Sequence, residues 1–189
     1  MGLAALAATL LAVAVLAKLG HDRNGIEAAL RLTARLGFLL FWLSYVAGPM
    51  VTLFGERWRP LTRHARVLGM SFAAVLTVHL TLVAWICGIG AAPPLQTFVI
   101  FGIGAVCAYT LLASSFDAVR RAMGPDTWRR VQSVGASYIL FAFAFDFLRP
   151  QPLKPLAFLL GYLPFDVLVV VGVALRLLAW WKKRRQAAP

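Results

Sequence analysis

Long apolar runs separated by short basic segments form the main pattern along this chain. Six runs approach or exceed the length of about 20 residues that a helix needs to cross the hydrocarbon core of a bilayer. They lie at about 3–19, 36–54, 67–91, 95–116, 131–149 and 156–180. Short connections favour antiparallel neighbouring helices. The pattern therefore predicts an all-α membrane protein, a six-transmembrane-helix up-and-down bundle that forms one domain over residues 1–189.

The basic residues of the connections predict the orientation of this bundle. They fall on alternate connections and in the tail, at Arg57, Arg59, Arg63, Arg66, Arg120, Arg121, Arg129, Arg130, Lys182, Lys183, Arg184 and Arg185. The segment from Gly88 to Gln96, on the opposite side, carries no charge. Because basic connections stay in the cytoplasm, both termini are predicted to be cytoplasmic in a multi-pass protein of the bacterial inner membrane.

Composition narrows the functional classes. The chain is 61% hydrophobic and 14% charged, and no polar stretch is long enough for a separate soluble domain. The net charge of +12 does not indicate nucleic-acid binding, because the basic residues flank apolar spans, and membrane lipid is the expected neighbour. Cys87 and Cys107 are predicted to be small apolar residues rather than a disulfide or a metal site.

The third span carries the most informative polar residue, His79. An ionisable group at this depth is costly unless it is paired, and imidazole is a common axial ligand of heme iron. His64 lies at the basic entrance of the same span, roughly 22 Å away along a helix axis and about 60° around it. The alternative for His64 is an interfacial polar residue among arginines. For His79, ligand and structural roles are equally favoured.

The fifth span repeats this spacing with different residues. Gln132 and Asp146 are separated by about 21 Å along a helix and roughly 40° around it. Since both spans run in the same direction, Gln132 is predicted to face His64, and Asp146 to face His79. The alternative for Asp146 is a carboxylate at a helix end that reaches the surface near Arg149.

Three short motifs resemble the ferric-reductase-like transmembrane family, and within it the MsrQ-type membrane subunits that serve a periplasmic methionine sulfoxide reductase. The first is Leu32-Thr33-Ala34-Arg35 with Pro49 further along, and the second is Arg66-Val67-Leu68-Gly69 ahead of His79. The third is Ser114-Ser115, Arg120-Arg121-Ala122-Met123-Gly124 and Trp128-Arg129-Arg130-Val131-Gln132. The similarity extends to Ala174-Leu175-Arg176 and depends on order and spacing more than on identity.

The resemblance implies a six-helix bundle that holds heme b between histidines of the third and fifth helices and passes electrons across the membrane. His79 matches the third-helix ligand. The chain departs from the family in the fifth helix, where Gln132 and Phe145, beside Asp146, replace histidines, and Arg31 replaces another before the second span. A bis-histidine heme is therefore not expected within one copy. Heme b on His79 as a single axial ligand, or no heme, remain the alternatives.

Two functions follow from these residues. The first is a heme-b electron-transfer subunit with a reduced or lost heme site, which would work with a membrane or periplasmic redox complex. The second is a non-redox accessory or structural subunit without a cofactor, in which His79 pairs with Asp146 or meets a partner subunit. Retention of His79 favours the first, and loss of the fifth-helix histidines favours the second.

Overall fold

The computed structural model describes residues 2–147 and 156–187, and in these ranges the chain is a bundle of helices without a strand. The long helices are α1 (Gly2–Leu19), α2 (Arg23–Phe54), α3 (Arg59–Gly88), α4 (Leu95–Ala113), α6 (Pro125–Phe147) and α7 (Leu156–Ala187). A 3-10 turn at Glu56–Trp58 precedes α3, and the short helix α5 (Asp117–Met123) precedes α6. The all-α prediction is confirmed. We call the end of the bundle that carries this turn, α5 and the end of α7 the basic end.

Several helices are suited to a membrane interior. Within the described ranges, five stretches are long and apolar enough to cross a bilayer, namely α1, α2, Glu56–Gly88, α4 and the Gly161–Gln186 part of α7. The helix α6 is less apolar, since Asp126, Arg129, Arg130 and Asp146 lie within it. Large apolar side chains of α1, α4 and α7 are exposed on the outside of the bundle. These features are consistent with a multi-pass membrane protein.

The helix α2 begins much earlier than the apolar run from about residue 36 had predicted. Asp22 caps its first turn by accepting a hydrogen bond from the Gly25 amide at 3.0 Å. Glu27 lies one turn from two arginines, 2.8 Å from Arg23 and 3.9 Å from Arg31. Ion pairs at this spacing support a helix, so the polar segment before the apolar run is helical too.

Two apolar clusters hold the helices together. The larger one is rich in aromatic rings, with neighbouring ring centroids 5.1 to 6.2 Å apart. It joins α2, α3, α6 and α7 through Phe38, Phe41, Phe72, Phe143, Phe147, Tyr162 and Phe165. The smaller cluster joins α1 to α2 and α3 through Ala12, Leu16, Ile26, Ala29, Leu82 and Ile86. The helix α2 contributes to both and is the central helix of the bundle.

Two polar contacts also join α2 to α7. The indole Nε1 of Trp42 donates a hydrogen bond of 2.7 Å to the Leu168 carbonyl. The Lys182 ammonium donates to the carbonyl of Thr52 at 2.8 Å, in the last turn of α2. The last carbonyls of a helix have no partner within it, so Lys182 acts as a cap supplied by another helix.

Candidate functional site

His79 is held by the neighbouring helix α2. Its Nδ1 lies 2.9 Å from Oγ1 of Thr33. Thr33 is completely buried, and His79 is partly buried. The polar partner that a histidine in this apolar setting requires is therefore a hydroxyl of α2.

The hydrogen bonds of Thr33 are compatible with a proton on Nδ1 of His79. Oγ1 of Thr33 lies 2.9 Å from the Ala29 carbonyl and 3.1 Å from the Leu30 carbonyl, so its hydroxyl can donate to the backbone. Its oxygen can then accept from Nδ1–H of His79, and in that tautomer Nε2 keeps a lone pair. A metal-ligating histidine has the same arrangement, in which one nitrogen binds the metal and the other donates a hydrogen bond.

Close packing of α2 and α3 explains why these two side chains meet. Phe41 of α2 contacts Phe72 of α3, with ring centroids 5.4 Å apart. One turn earlier along α2, a β-carbon placed on Gly37 would lie 3.6 Å from the Phe72 ring. Another turn earlier is Thr33, which meets His79. Since residues four apart lie on one helix face, Thr33, Gly37 and Phe41 form the α2 side of this interface.

His64 lies at the basic end and is exposed. Its Nδ1 is 2.8 Å from the Pro60 carbonyl, one turn earlier in the same helix. Pro60 lies in the first turn of α3, so the His64 ring is oriented by its own helix end.

Gln132 also lies toward the basic end, but its contact is with the end of α4. Its side-chain amide donates to Oγ of Ser114 at 2.9 Å. Ser114 is buried, and its carbonyl accepts a hydrogen bond from the indole of Trp128 at 3.1 Å. Gln132 and Trp128 therefore fasten the first turns of α6 to the end of α4.

Asp146 belongs to a polar group at the opposite end of the bundle. It is exposed, and its charge acts on Tyr162 of α7, as do the charges of Arg35 and Arg31. The guanidinium of Arg35 lies 5.3 Å from the ring centroids of both Tyr162 and Phe165. Arg149, the surface partner considered for Asp146, lies outside the described residues.

The hydrogen bonds of His64, Gln132 and His79 are made with residues outside the predicted site. His64 contacts Pro60, Gln132 contacts Ser114, His79 contacts Thr33, and Asp146 acts on Tyr162. Among the described residues, no group of three or more His, Cys, Asp or Glu side chains could hold a metal ion.

Sequence reasoning missed a cavity of about 450 Å³ at the basic end of the bundle. Its inner wall is made by apolar residues of the buried clusters and their neighbours, Phe41, Phe72, Ala108, Leu111, Ala136 and Ile139. Its rim carries four arginines from four helices, Arg66, Arg120, Arg129 and Arg176. The sequence had indicated these arginines only as orientation signals and motif residues, because their convergence depends on how the helices pack. The one local signal is Arg176, a charged residue within an apolar run.

A scan against protein-family models, a search of curated proteins and a search of solved structures each gave no match to this chain.

Proposed function

We propose that this chain is a six-span protein of the bacterial inner membrane with both termini in the cytoplasm, and that it acts there as a non-redox accessory or structural subunit of a larger membrane complex. The observation that carries this proposal is the hydrogen bond between Thr33 and His79. Because the imidazole already joins α2 to α3, its presence inside an apolar bundle does not require iron.

The positions of Gln132 and Asp146, the possible partners of the predicted site, support the same proposal. Gln132 fastens α6 to α4, and Asp146 belongs to the polar group around Tyr162. The cavity at the basic end contains no His, Cys or Met side chain among its lining residues in the described part of the chain. A planar macrocycle in that cavity would lack the usual nitrogen or sulfur ligands of heme iron.

The six-span topology is supported by the packing of α6. This helix packs against α4 and α7, and Ile139, Leu140 and Ala142 in its middle are buried. Its charged residues Asp126, Arg129 and Asp146 lie near its two ends, where side chains can reach the interface. Counting α6 as a span places both termini and the arginine-rich connections before α3 and before α6 on one side, as the positive-inside rule favours.

The second candidate function is electron transfer of the MsrQ type, with heme b bound by His79 alone. The observation that favours it is the 2.9 Å contact between Nδ1 of His79 and Thr33, because the tautomer that donates to Thr33 keeps a lone pair on Nε2. If heme is bound there, it supplies the electron-carrying group, while Thr33 orients the imidazole and raises its basicity as a ligand.

Visible spectroscopy separates the two candidates. The protein is purified in mild detergent from heme-sufficient cells, and spectra are recorded in the oxidised and dithionite-reduced states. We expect no Soret band. A stoichiometric Soret band that is lost in His79→Ala and retained in the matched variant His64→Ala would overturn the cofactor-free proposal and establish the second candidate.

Co-purification tests the subunit role separately. A mild affinity purification from the native membrane is expected to recover the chain with another membrane protein at a fixed molar ratio. Recovery of a lone monomer at all detergent concentrations, with a colourless preparation, would contradict the accessory-subunit role while leaving the cofactor-free state in place.

A further inference from the structure

We propose that the cavity at the basic end binds a phosphate-bearing amphiphile. Its phosphate would lie among Arg66, Arg120, Arg129 and Arg176, and its apolar part would lie against the wall that includes Phe72. The cavity lies toward the other end of α3 from His79, and the proposal is independent of whether the protein binds heme.

The rim of the cavity keeps a positive charge. Its lining residues, all in the described part of the chain, include no Asp or Glu. Two carboxylates approach the rim from outside it, Asp117 at 3.7 Å from Arg66 and Asp126 at 3.0 Å from Arg129. These contacts are between exposed side chains and only partly offset four guanidinium charges. An anionic ligand would neutralise the remaining positive charge of the rim.

Aromatic rings hold two of the arginines in place. The guanidinium of Arg120 lies 4.5 Å from the Trp128 ring, and that of Arg176 lies 4.6 Å from the Tyr45 ring. Arg176 also donates to Oγ of Ser133 at 3.1 Å. A ring face orients a guanidinium and leaves its charge in place. Less side-chain freedom is then lost when a ligand binds, which favours affinity.

The chemistry of the rim favours phosphate over carboxylate. A guanidinium presents a planar fork that binds two oxygens of one anion. Arginines from α3, α5, α6 and α7 converge on one cavity, which matches an anion with several acceptor oxygens. A carboxylate has two oxygens and would satisfy fewer of these donors.

The inner wall favours an amphiphile over a small anion. Phe41, Phe72, Ala108 and Ile139 line the cavity and belong to or adjoin the buried core. A volume of about 450 Å³ lies within the usual range of small-molecule pockets, roughly 300 to 1,000 Å³. A phosphate alone would leave the apolar surface hydrated, whereas an attached hydrocarbon portion would cover it.

A membrane phospholipid is the source that the location favours. The arginine rim lies at the basic end, where a helix bundle meets the lipid head groups, and anionic lipids are attracted to basic clusters at that level. A soluble phosphorylated compound offers the same phosphate without the acyl chains. The two sources differ in whether the apolar wall contributes to binding.

Native mass spectrometry of the full chain, released from mild detergent, tests the proposal with three probes. They are dioleoyl phosphatidate, dioleoyl phosphatidylcholine with the same chains, and glycerol 3-phosphate with the phosphate alone. We expect phosphatidate to bind at least about tenfold more tightly than either of the others, a difference of about 1.4 kcal/mol. We also expect its binding to weaken with added salt.

Matched arginine variants locate the binding. Arg120→Gln combined with Arg176→Gln is expected to weaken phosphatidate binding by about tenfold or more, because charge-assisted hydrogen bonds are lost. Arg63→Gln combined with Arg130→Gln removes the same charge from exposed positions that do not line the cavity, and a change below about twofold is expected. Ala136→Phe fills the apolar wall without altering charge and is expected to weaken phosphatidate binding as well.

Three results would overturn the proposal. If phosphatidylcholine binds as tightly as phosphatidate, the arginines do not select the ligand. Equal binding of glycerol 3-phosphate would identify a soluble phosphate compound and remove the role of the apolar wall. Equal weakening by the two arginine pairs would indicate general attraction to charge. Melting temperatures of all variants are measured beside the binding, and if the Arg176 variant does not fold, Arg120→Gln and Ala136→Phe decide the outcome.

Discussion

The hydrogen bond from His79 to Thr33 joins two helices within an apolar interface. In lipid, no water is present to hydrogen-bond an imidazole that lacks a protein partner. Even so, measured hydrogen bonds between membrane helices contribute only about 0.6 kcal/mol on average and at most about 1.7 kcal/mol. Thr33 is completely buried, and its hydroxyl also bonds its own helix. The bond therefore fixes a register between α2 and α3 more than it adds to total stability.

Replacing Thr33 with valine keeps the shape of the side chain and removes the hydroxyl. We expect Thr33→Val to lower the free energy of unfolding by about 0.5 to 2 kcal/mol, because Nδ1 of His79 loses its acceptor. Thr33→Ser keeps the hydroxyl and is the matched control. Unfolding is measured in mixed micelles by titration with a denaturing detergent.

A double-mutant cycle identifies the partner of His79. Thr33→Val and His79→Ala are expected to be non-additive, with a coupling of roughly 0.5 kcal/mol or more. For the other predicted pair, His79 and Asp146, we expect additive effects, because His79 lies against Thr33 and the charge of Asp146 acts on Tyr162. Additive effects for Thr33 together with strong coupling between Asp146→Asn and His79→Ala would contradict the structural assignment.

At the level of single side chains, the sequence predicted the need for a partner of His79 but not the partner itself. Burial of a polar group follows from one apolar run, whereas the identity of its partner depends on the register of two helices. Thr33 lies in a segment that the sequence marked only through its resemblance to a family motif. Nothing in the spacing of α3 alone could have indicated α2 rather than the fifth span.

Among the helices, the contact between α2 and α7 depends on a small residue. A β-carbon placed on Gly172 of α7 would lie 3.0 Å from Nε1 of Trp42, which donates to the Leu168 carbonyl. We expect Gly172→Ala to push the indole away from this carbonyl and to lower the free energy of unfolding by about 1 to 3 kcal/mol, as overpacking does. The measurement is the same detergent titration.

Gly102→Ala is the matched control, because Gly102 lies in the middle of α4 with nothing within 4 Å of an added β-carbon. Alanine favours a helix over glycine by about 0.5 to 1 kcal/mol, so this variant is expected to be as stable as the wild type or more stable. If Gly172→Ala stabilises the protein as much as Gly102→Ala does, the close approach of Trp42 to Gly172 is not a constraint in the folded protein.

Helix type was easier to predict than helix length. The apolar runs indicated the long helices, because a span of this composition is helical in a membrane. The start of α2 was misplaced, since hydropathy does not detect the capping by Asp22 or the ion pairs of Glu27. These are local effects that continue a helix through polar sequence.

For the molecule as a whole, the orientation of the chain depends on α6. If α6 crosses the membrane, the tail after Trp181 lies on the same side as the N-terminus. If it does not, the five remaining spans would place the two termini on opposite sides. We expect a fluorescent protein fused to the C-terminus to be fluorescent in a bacterial host, and an alkaline phosphatase at the same position to be inactive.

A phosphatase fused after Ala92 is the matched control, because this position lies in the connection between α3 and α4 at the opposite end. High phosphatase activity is expected there. An active phosphatase at the C-terminus would mean that the chain crosses the membrane an odd number of times from a cytoplasmic N-terminus, and the six-span topology would be rejected.

The general architecture was predictable from the sequence, and the cavity was not. Each apolar run and each basic connection can be recognised from its own composition, without knowledge of how the helices pack. The arginine rim combines residues of α3, α5, α6 and α7, and Arg66 and Arg176 are far apart in the chain. Convergence of this kind is a property of helix packing, which a single sequence specifies only through many weak contacts.

The cap that Lys182 provides for α2 also has a consequence for biosynthesis. The chain is synthesised from its N-terminus onward, so α2 is complete long before α7 has been made. Until then, the carbonyls of Thr52 and Leu53 lack the ammonium that later binds them, and the Leu168 carbonyl is not yet available to Trp42. The central helix of the bundle is thus completed by α7, a helix that is translated much later. A nascent chain arrested before α7 would carry an unfinished α2, a state that membrane quality-control proteases could distinguish from the mature protein.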